Sequence, residues 1–217
     1  MKISFRGLMT FRATWFGFIL AVSLCAAAAA EVSLFDGKTF RGWSGDTNST
    51  WRISDDVILG GSMDREVPRN EFLCTTSRYT NFVLKLKFKL EGKSGFINGG
   101  VQFRSERATN PTNEMVGYQA DIGDPEWWGC LYDESRRNKV LAKSSMEEVN
   151  RVLKRGDWNT YEIRCEAKRI RLTLNGEQTV DYTEPDSAIE QSGLIGLQIH
   201  GGAIAQISFK DISIEEL

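Results

Sequence analysis

Residues 82–90 read FVLKLKFKL. Phe82, Leu84, Leu86, Phe88 and Leu90 recur at every second position, with Lys85, Lys87 and Lys89 between them. Successive strand side chains point to opposite faces, so this period places five apolar groups on one face and the lysines on the other. One dry face and one wet face is the pattern of an antiparallel sheet over a core. The pattern repeats downstream. Tyr161, Ile163 and Cys165 alternate with Glu162 and Arg164, and a partner run of Ile170, Leu172 and Leu174 ends in Asn175-Gly176. An Asn-Gly pair after such a run is a strong signal for a tight hairpin. Residues 194–200 and 207–214 supply two closing strands. Pro68, Pro111, Pro125 and Pro185 all fall between the predicted strands, as they must, because proline donates nothing to a ladder. One helical stretch is predicted, SSMEEVNRVL at 144–153, where Ser145 is placed to cap with Glu148. Together these features predict an all-β fold, a two-sheet antiparallel β-sandwich of jelly-roll topology.

The first thirty residues stand outside this pattern. Lys2, Arg6 and Arg12 make a basic start, 16–24 is a short apolar centre, and a run of alanines ends at Ala30 before Glu31. Those are the marks of a secretory signal peptide cleaved after Ala30, and the apolar centre is shorter than the roughly 20 residues of a membrane span. The sequence thus predicts a signal peptide at 1–30 and one domain at 31–217, exported to the periplasm or secreted, with no membrane span after cleavage. The domain carries 24 Lys and Arg against 29 Asp and Glu, a net charge of −5. Nucleic acid and anionic membranes are bound by clustered cations, so neither is an expected partner. Cys74, Cys130 and Cys165 remain after cleavage, and an odd number permits one bridge at most. With no Cys-x-x-Cys or Cys/His cluster, a structural zinc site is not expected.

Three strands have a polar face of a different kind. Gln102 and Arg104 alternate with Val101 and Phe103, Gln119 and Asp121 with Tyr118, Ala120 and Ile122, and Gln198 and His200 with Ile195, Leu197 and Ile199. A solvated face usually carries Lys, Glu and Thr, whereas amides, a guanidinium, a carboxylate and an imidazole donate and accept directionally. If the three strands are neighbours, these faces form a patch suited to a polyhydroxyl ligand. The ordinary alternative is a solvated exterior. His200 is the only histidine of the chain, either a hydrogen-bonded structural residue or a working one. The loop GDPEWWGCLYDESRR at 123–137 sets Trp127 and Trp128 beside Asp133, Glu134, Arg136 and Arg137. Tryptophan in a polar loop is suited to stacking on a sugar ring. The acidic pair is placed to supply a general acid or base, or else to form a surface ion-pair cluster with the arginines. Asn98 and the glycine pairs 99–100 and 201–202 either border the same face or simply turn the chain.

Taken in order, LFDGKTFRGW (34–43), NGGVQFR (98–104), GYQADIG (117–123), WNTYEIRC (158–165), LTLNG (172–176), GLIGLQIHGG (193–202) and ISFKDISIEEL (207–217) resemble the 3-keto-disaccharide hydrolase family. The resemblance covers about 33–217. It implies a concanavalin-like (lectin-like) jelly roll acting on glycosides whose glucose unit has been oxidised at C3 by a sugar 3-dehydrogenase. A ketone at C3 acidifies the C2 proton; a base removes it, the glycosidic oxygen leaves C1, and water adds back. The reaction needs a base, an acid and a group that polarises the keto oxygen, a role for which the resemblance implies a divalent metal in some members. The family's polar strand residues fall on Arg104 and on the Gln119/Asp121 strand, and its Gln-x-His signature on Gln198 and His200. Here Gln119 stands where the family often has Glu, and Asp121 where it has Gln, so the carboxylate is displaced along the strand. The resulting expectation is an exported glycosidase with His200, Glu134 and Asp121 as catalytic residues. Gln102, Arg104, Gln119, Gln198, Trp128, Asp133 and Arg137 are the expected substrate contacts. The competing expectation is a carbohydrate-binding module without catalysis, using the same amides and tryptophans.

Overall fold

The computed structural model describes residues 1–3 and 30–217, so most of the predicted signal peptide lies outside the described residues. The strands are β1 (Val32–Ser33), β2 (Trp43–Ser44), β3 (Trp51–Ser54), β4 (Val57–Gly61), β5 (Glu71–Thr75), β6 (Phe82–Gly95), β7 (Asn98–Arg107) and β8 (Met115–Gly123). They continue as β9 (Leu131–Glu134), β10 (Lys139–Ala142), β11 (Asn159–Glu166), β12 (Arg169–Leu174), β13 (Glu177–Thr183), β14 (Leu194–Ile199) and β15 (Ala203–Glu216). Two antiparallel sheets form. The first runs β13-β12-β11-β6-β15-β4-β3 with β1 on β15, and the second runs β10-β9-β8-β7-β14-β5-β2.

The alternation read from the sequence sets the core. Phe82, Leu84, Leu86, Phe88 and Leu90 are buried, while the lysines between them are only partly covered. Tyr161, Ile163 and Cys165 of β11 and Ile170, Leu172 and Leu174 of β12 extend the same inner face. Val101, Phe103, Tyr118, Ala120, Ile122, Ile195, Leu197 and Ile199 meet them from the second sheet in one continuous apolar cluster. Asn175 and Gly176 adopt φ of 49° and 87°, the left-handed pair that turns β12 back into β13. The helix α1 (Met146–Val152) starts where expected: Ser145 is its N-cap and accepts from the Glu148 backbone N–H at 3.4 Å. Among the described residues, Cys74, Cys130 and Cys165 are free and buried. Among the described residues, no helix is long and apolar enough to cross a membrane.

Two departures shape the second sheet. Its outer face is not an open polar surface. Phe72, Cys74 and Met115, backed by Leu194, form a separate apolar cluster, with Cys74 Sγ 3.3 Å from Met115 Sδ. This cluster sits beside Gly196, whose Cα faces Gln102 of β7, and it closes one end of that face. The second departure is at Arg104. The β7–β8 register shifts between Phe103 and Glu106, and Arg104 has φ of 47°. An extra residue in one strand breaks strict alternation, so its side chain leaves the face that Gln102 occupies.

Candidate functional site

The site is built on the outer face of β8, β7 and β14, at the end away from the apolar cluster. Register places Asp121 opposite Gly100, and Gly100 opposite Gln198. The missing side chain at 100 matters, since a Cβ there would lie 2.8 Å from Gln119 Cγ. Gln119 fills that space, and its Nε2 donates to Asp121 Oδ1 at 2.8 Å. Its Oε1 accepts from Gln102 Nε2 at 3.0 Å, and Gln102 Oε1 accepts from Ser105 Oγ at 2.7 Å. A buried chain of amides therefore ends on the Asp121 carboxyl. Cys130 Sγ approaches Asp121 Oδ2 at 3.7 Å.

Above this floor lies a cavity of about 140 Å³. Asp121, Gln119 and Asn98 line it from β8 and β7, Tyr132 and Glu134 from β9, and His200 and Asn70 from two loops. Phe96 and Trp127 complete the rim. Trp127 meets Phe96 and Tyr132 edge-on at 6.1 and 5.7 Å, and Phe96 meets the His200 ring edge-on at 4.8 Å. His200 Nδ1 lies 2.7 Å from the Gly201 carbonyl oxygen. A carbonyl only accepts, so Nδ1 carries the hydrogen and Nε2 is left as the reactive nitrogen.

Burial dominates the electrostatics. Asp121 is 2% exposed, and loss of hydration, reinforced by the charge of Glu134, pushes its carboxyl up to about 8 against the opposing hydrogen bond from Gln119. Burial and the charge of Glu114 push Glu134 up to about 7. Two carboxyls that titrate near neutrality in one cavity permit an acid and a base to coexist there.

The structure brings His200, Glu134, Asp121 and Gln119 to the wall of one cavity. Six other residues lie elsewhere. Arg104 points to the edge between the sheets, where Nε donates to Thr80 O at 2.8 Å and Nη1 to Ala167 O and Gln191 Oε1 at 2.7 and 2.6 Å. It is a structural clamp. Asp133 is fully buried on the inner face of β9, held by Arg136 Nε at 2.8 Å and by Arg137, which also bonds Glu184. Asp133 and Arg137 therefore belong to an ion-pair network of the core edge. Trp128 stacks on Phe88 in the core, with Nε1 donating to Asp124 Oδ1 at 2.8 Å; its neighbour Trp127 takes the rim position. Gln102 is fully buried and supports Gln119, so it touches no substrate. Gln198 lies on the correct face but is fully covered and is not on the cavity wall. Sequence reasoning missed Asn70, Phe96 and Tyr132. Tyr132 alone carried a signal, since it shares strand parity with Glu134.

Among the described residues, no three of His, Cys, Asp or Glu are arranged to hold a metal ion. Asp121 is moreover hydrogen-bonded as a buried, proton-retaining carboxyl, a poor donor for a cation. The residues present do not fit a resident divalent metal, and the chemistry below is derived from side chains alone.

A two-sheet antiparallel sandwich with a polar cavity on an outer sheet face is a concanavalin-like jelly roll. Solved structures agree on the fold. A candidate glycosyl hydrolase from Parabacteroides distasonis ATCC 8503 superposes with a TM-score of 0.64 at 19% identity, covering 86% of this chain and 94% of that one. The carbohydrate-binding module CBM66 from Bacillus subtilis gives 0.62 at 16%, covering 81% and 96%. The catalytic domain of an endo-1,3-beta-glucanase (laminarinase) from Thermotoga petrophila RKU-1 gives 0.56 at 8%, covering 88% and 97%. At such identities the likeness shows the fold alone. The comparison with curated proteins returned no match. The chain belongs to the family of 3-keto-alpha-glucoside-1,2-lyase-like domains, whose model matches residues 30–215.

Proposed function

We propose that this protein cleaves 3-keto-glucosides by elimination and hydration. The observation that carries the reading is the convergence of Asp121, Glu134 and the chain's only histidine on one cavity, with Asp121 buried and Glu134 partly buried so that both carboxyls are pushed up, to about 8 and about 7. At neutral pH the Glu134 carboxylate takes the C2 proton, whose acidity comes from the C3 ketone. Asp121, still protonated, donates to the keto oxygen as the enolate forms. The C1–O bond breaks as electrons return from the enolate, and His200 passes a proton from Nε2 to the leaving oxygen. The products at this stage are the free alcohol and a C1=C2 enone. His200 Nε2 then takes a proton from water as its oxygen adds to C1, and Glu134 returns the proton to C2. The net reaction is glycoside plus water to 3-keto-glucose plus alcohol. A cavity of about 140 Å³ is of a size to seat one sugar ring, which leaves the alcohol portion against Phe96 and Trp127 at the rim. A sugar 3-dehydrogenase supplies the ketone. Export through residues 1–30 belongs to this reading on sequence grounds; a secreted or periplasmic form beginning at Glu31 is the expected product.

The test incubates residues 31–217 with a 3-keto-glucoside and with the unoxidised parent, with and without added divalent cation. Alcohol release from the keto form only is expected. His200→Ala abolishes release while its melting temperature stays within a few degrees, because the ring is half-exposed and bonds only to Gly201. Binding of sugar with no release from either compound would leave a carbohydrate-binding module in its place. Collapse of the His200→Ala fold would make the imidazole structural.

A further inference from the structure

A second cavity, of about 220 Å³, lies one strand further out on the same sheet. Val140 of β10 and Tyr132 of β9 are cross-strand partners, so their side chains share a face. Tyr132 lines the first cavity and Val140 the second, while the partly buried Trp127 lines both. Cys130 also lines the second cavity, and its Sγ lies 3.7 Å from Asp121 Oδ2 on the wall of the first. The two cavities are therefore neighbours across one indole ring.

The walls of the second cavity are held by the protein's own hydrogen bonds. Ser144 Oγ donates to Trp128 O at 2.6 Å, which ties the segment before α1 to the tryptophan loop. Within that loop Trp127 N donates to Gly123 O at 3.2 Å and Cys130 N to Trp127 O at 3.3 Å. The lining differs in kind from that of the first cavity. Pro125, Trp127, Val140 and Met146 present apolar surface, and the Ser144 hydroxyl hydrogen is already given to Trp128. The charged side chains of the lining, Glu126 and Lys143, belong to solvent-exposed residues. A sugar ring set against such walls would leave most of its hydroxyls without partners, which is costly once they are buried. An aromatic ring meets no such cost. The volume of about 220 Å³ also exceeds the roughly 150 Å³ of an apolar cavity that admits benzene.

We propose that the second cavity binds the leaving-alcohol portion of the substrate, and that this portion is an aromatic alcohol and not a second sugar. The inference rests on the proposed 3-keto-glucoside reaction, which seats the sugar ring beside Asp121 and Glu134 and leaves the alcohol portion at Trp127. Trp127 is then the partition between the two halves of the substrate. Val140, Met146 and Pro125 supply the apolar surface that an aryl ring covers, and they take no part in proton transfer.

The test measures kcat/KM of the protein on methyl 3-keto-glucoside, benzyl 3-keto-glucoside and a 3-keto-disaccharide, with calorimetric binding of the same three compounds. Methanol and benzyl alcohol are similar leaving groups, so a difference between them reports binding of the ring. The benzyl compound is expected to be favoured about 10- to 100-fold over the methyl one, the worth of burying one phenyl ring, and to exceed the disaccharide as well. Val140→Trp fills the cavity from the edge strand and should lower the benzyl-to-methyl ratio about tenfold or more. If that variant does not fold, Val140→Asn, which sets an amide in place of apolar surface, should lower the ratio in its stead. Equal constants for methyl and benzyl, a preference for the disaccharide, or a benzyl preference that survives in the folded variant overturns the assignment; cleavage of these compounds would then leave the reaction standing. Tighter binding of the benzyl compound that Val140→Trp removes, with no cleavage of any of the three, supports the cavity and refutes the reaction. A wild type that binds none refutes both.

Discussion

Replacing Asp121 by Asn should make the protein more stable at neutral pH and nearly inactive. The carboxyl is 2% exposed and ionises near 8 in the fold, against an ordinary value of 3.8. Between those values the folded state keeps a proton that the unfolded chain has released. The native state then binds more protons than the unfolded state, so stability falls as pH rises from about 4 to about 8. At 1.36 kcal/mol per pH unit, the cost reaches on the order of 4 kcal/mol by pH 7. An asparagine keeps the oxygen that accepts from Gln119 Nε2 and has no proton to lose. Urea unfolding followed by tryptophan fluorescence, at pH 4 and at pH 8, isolates the effect as the difference between the two proteins. Glu134 contributes to the slope of both and largely cancels. The expected outcome is nearly equal stability at pH 4 and a gain for the variant of about 5 kcal/mol at pH 8, which is more than 10 °C in melting temperature for a domain of this size. A variant that gains nothing at pH 8, or that gains as much at pH 4, would refute the claim that Asp121 is buried as a proton-retaining acid.

Further outcomes follow from the same geometry. With Glu134 ionised above about 7 and Asp121 protonated below about 8, kcat/KM against pH should be a narrow bell with its maximum between those values; a flat profile from 5 to 9 would remove the pair from the chemistry. Arg104→Met should cost about 3 kcal/mol or more, since it leaves the carbonyls of Thr80 and Ala167 without their donor, and KM of the folded protein should not change. The two adjacent tryptophans should separate cleanly. Trp128→Ala loses about 3–5 kcal/mol of stability from the core, whereas Trp127→Ala leaves unfolding nearly unchanged and raises KM about tenfold. Equal effects at both positions would contradict the division into core and rim.

How far these features were legible from residues alone depended on parity. Phe82–Leu90, Tyr161–Cys165 and the Asn175-Gly176 turn each state a period of two or its end, and the sandwich follows. The same count places Gln119, Asp121, Gln198 and His200 on the outer face. Parity fails where the backbone inserts a residue. The bulge at Arg104, with its positive φ, moved a guanidinium that counting put beside Gln102 to the far edge of the sheets. Within β9 parity holds: Leu131 points inward, so Asp133 does too, and only Tyr132 and Glu134 face the cavity. In the loop before β9, no period exists to tell Trp127 from Trp128. Asn70 and Glu114 come from loops whose meeting is fixed by Asn70 hydrogen bonds across 44 and 131 residues of sequence, beyond any local pattern. Burial of Gln102 and Gln198 was hidden for a related reason, because their neighbours are distant in sequence, with Phe72 opposite Gln198 and Gln102 and Met115 both beside Gly196.

The apolar cluster of Phe72, Cys74 and Met115 also has a chemical consequence for the thiol it contains. Loss of hydration pushes Cys74 up to about 11, so at neutral pH it keeps its proton and is not a nucleophile. The packing that dries one end of the outer face thereby keeps a free cysteine chemically silent, while Asp121, Glu134 and His200 gather around the cavity on the same sheet.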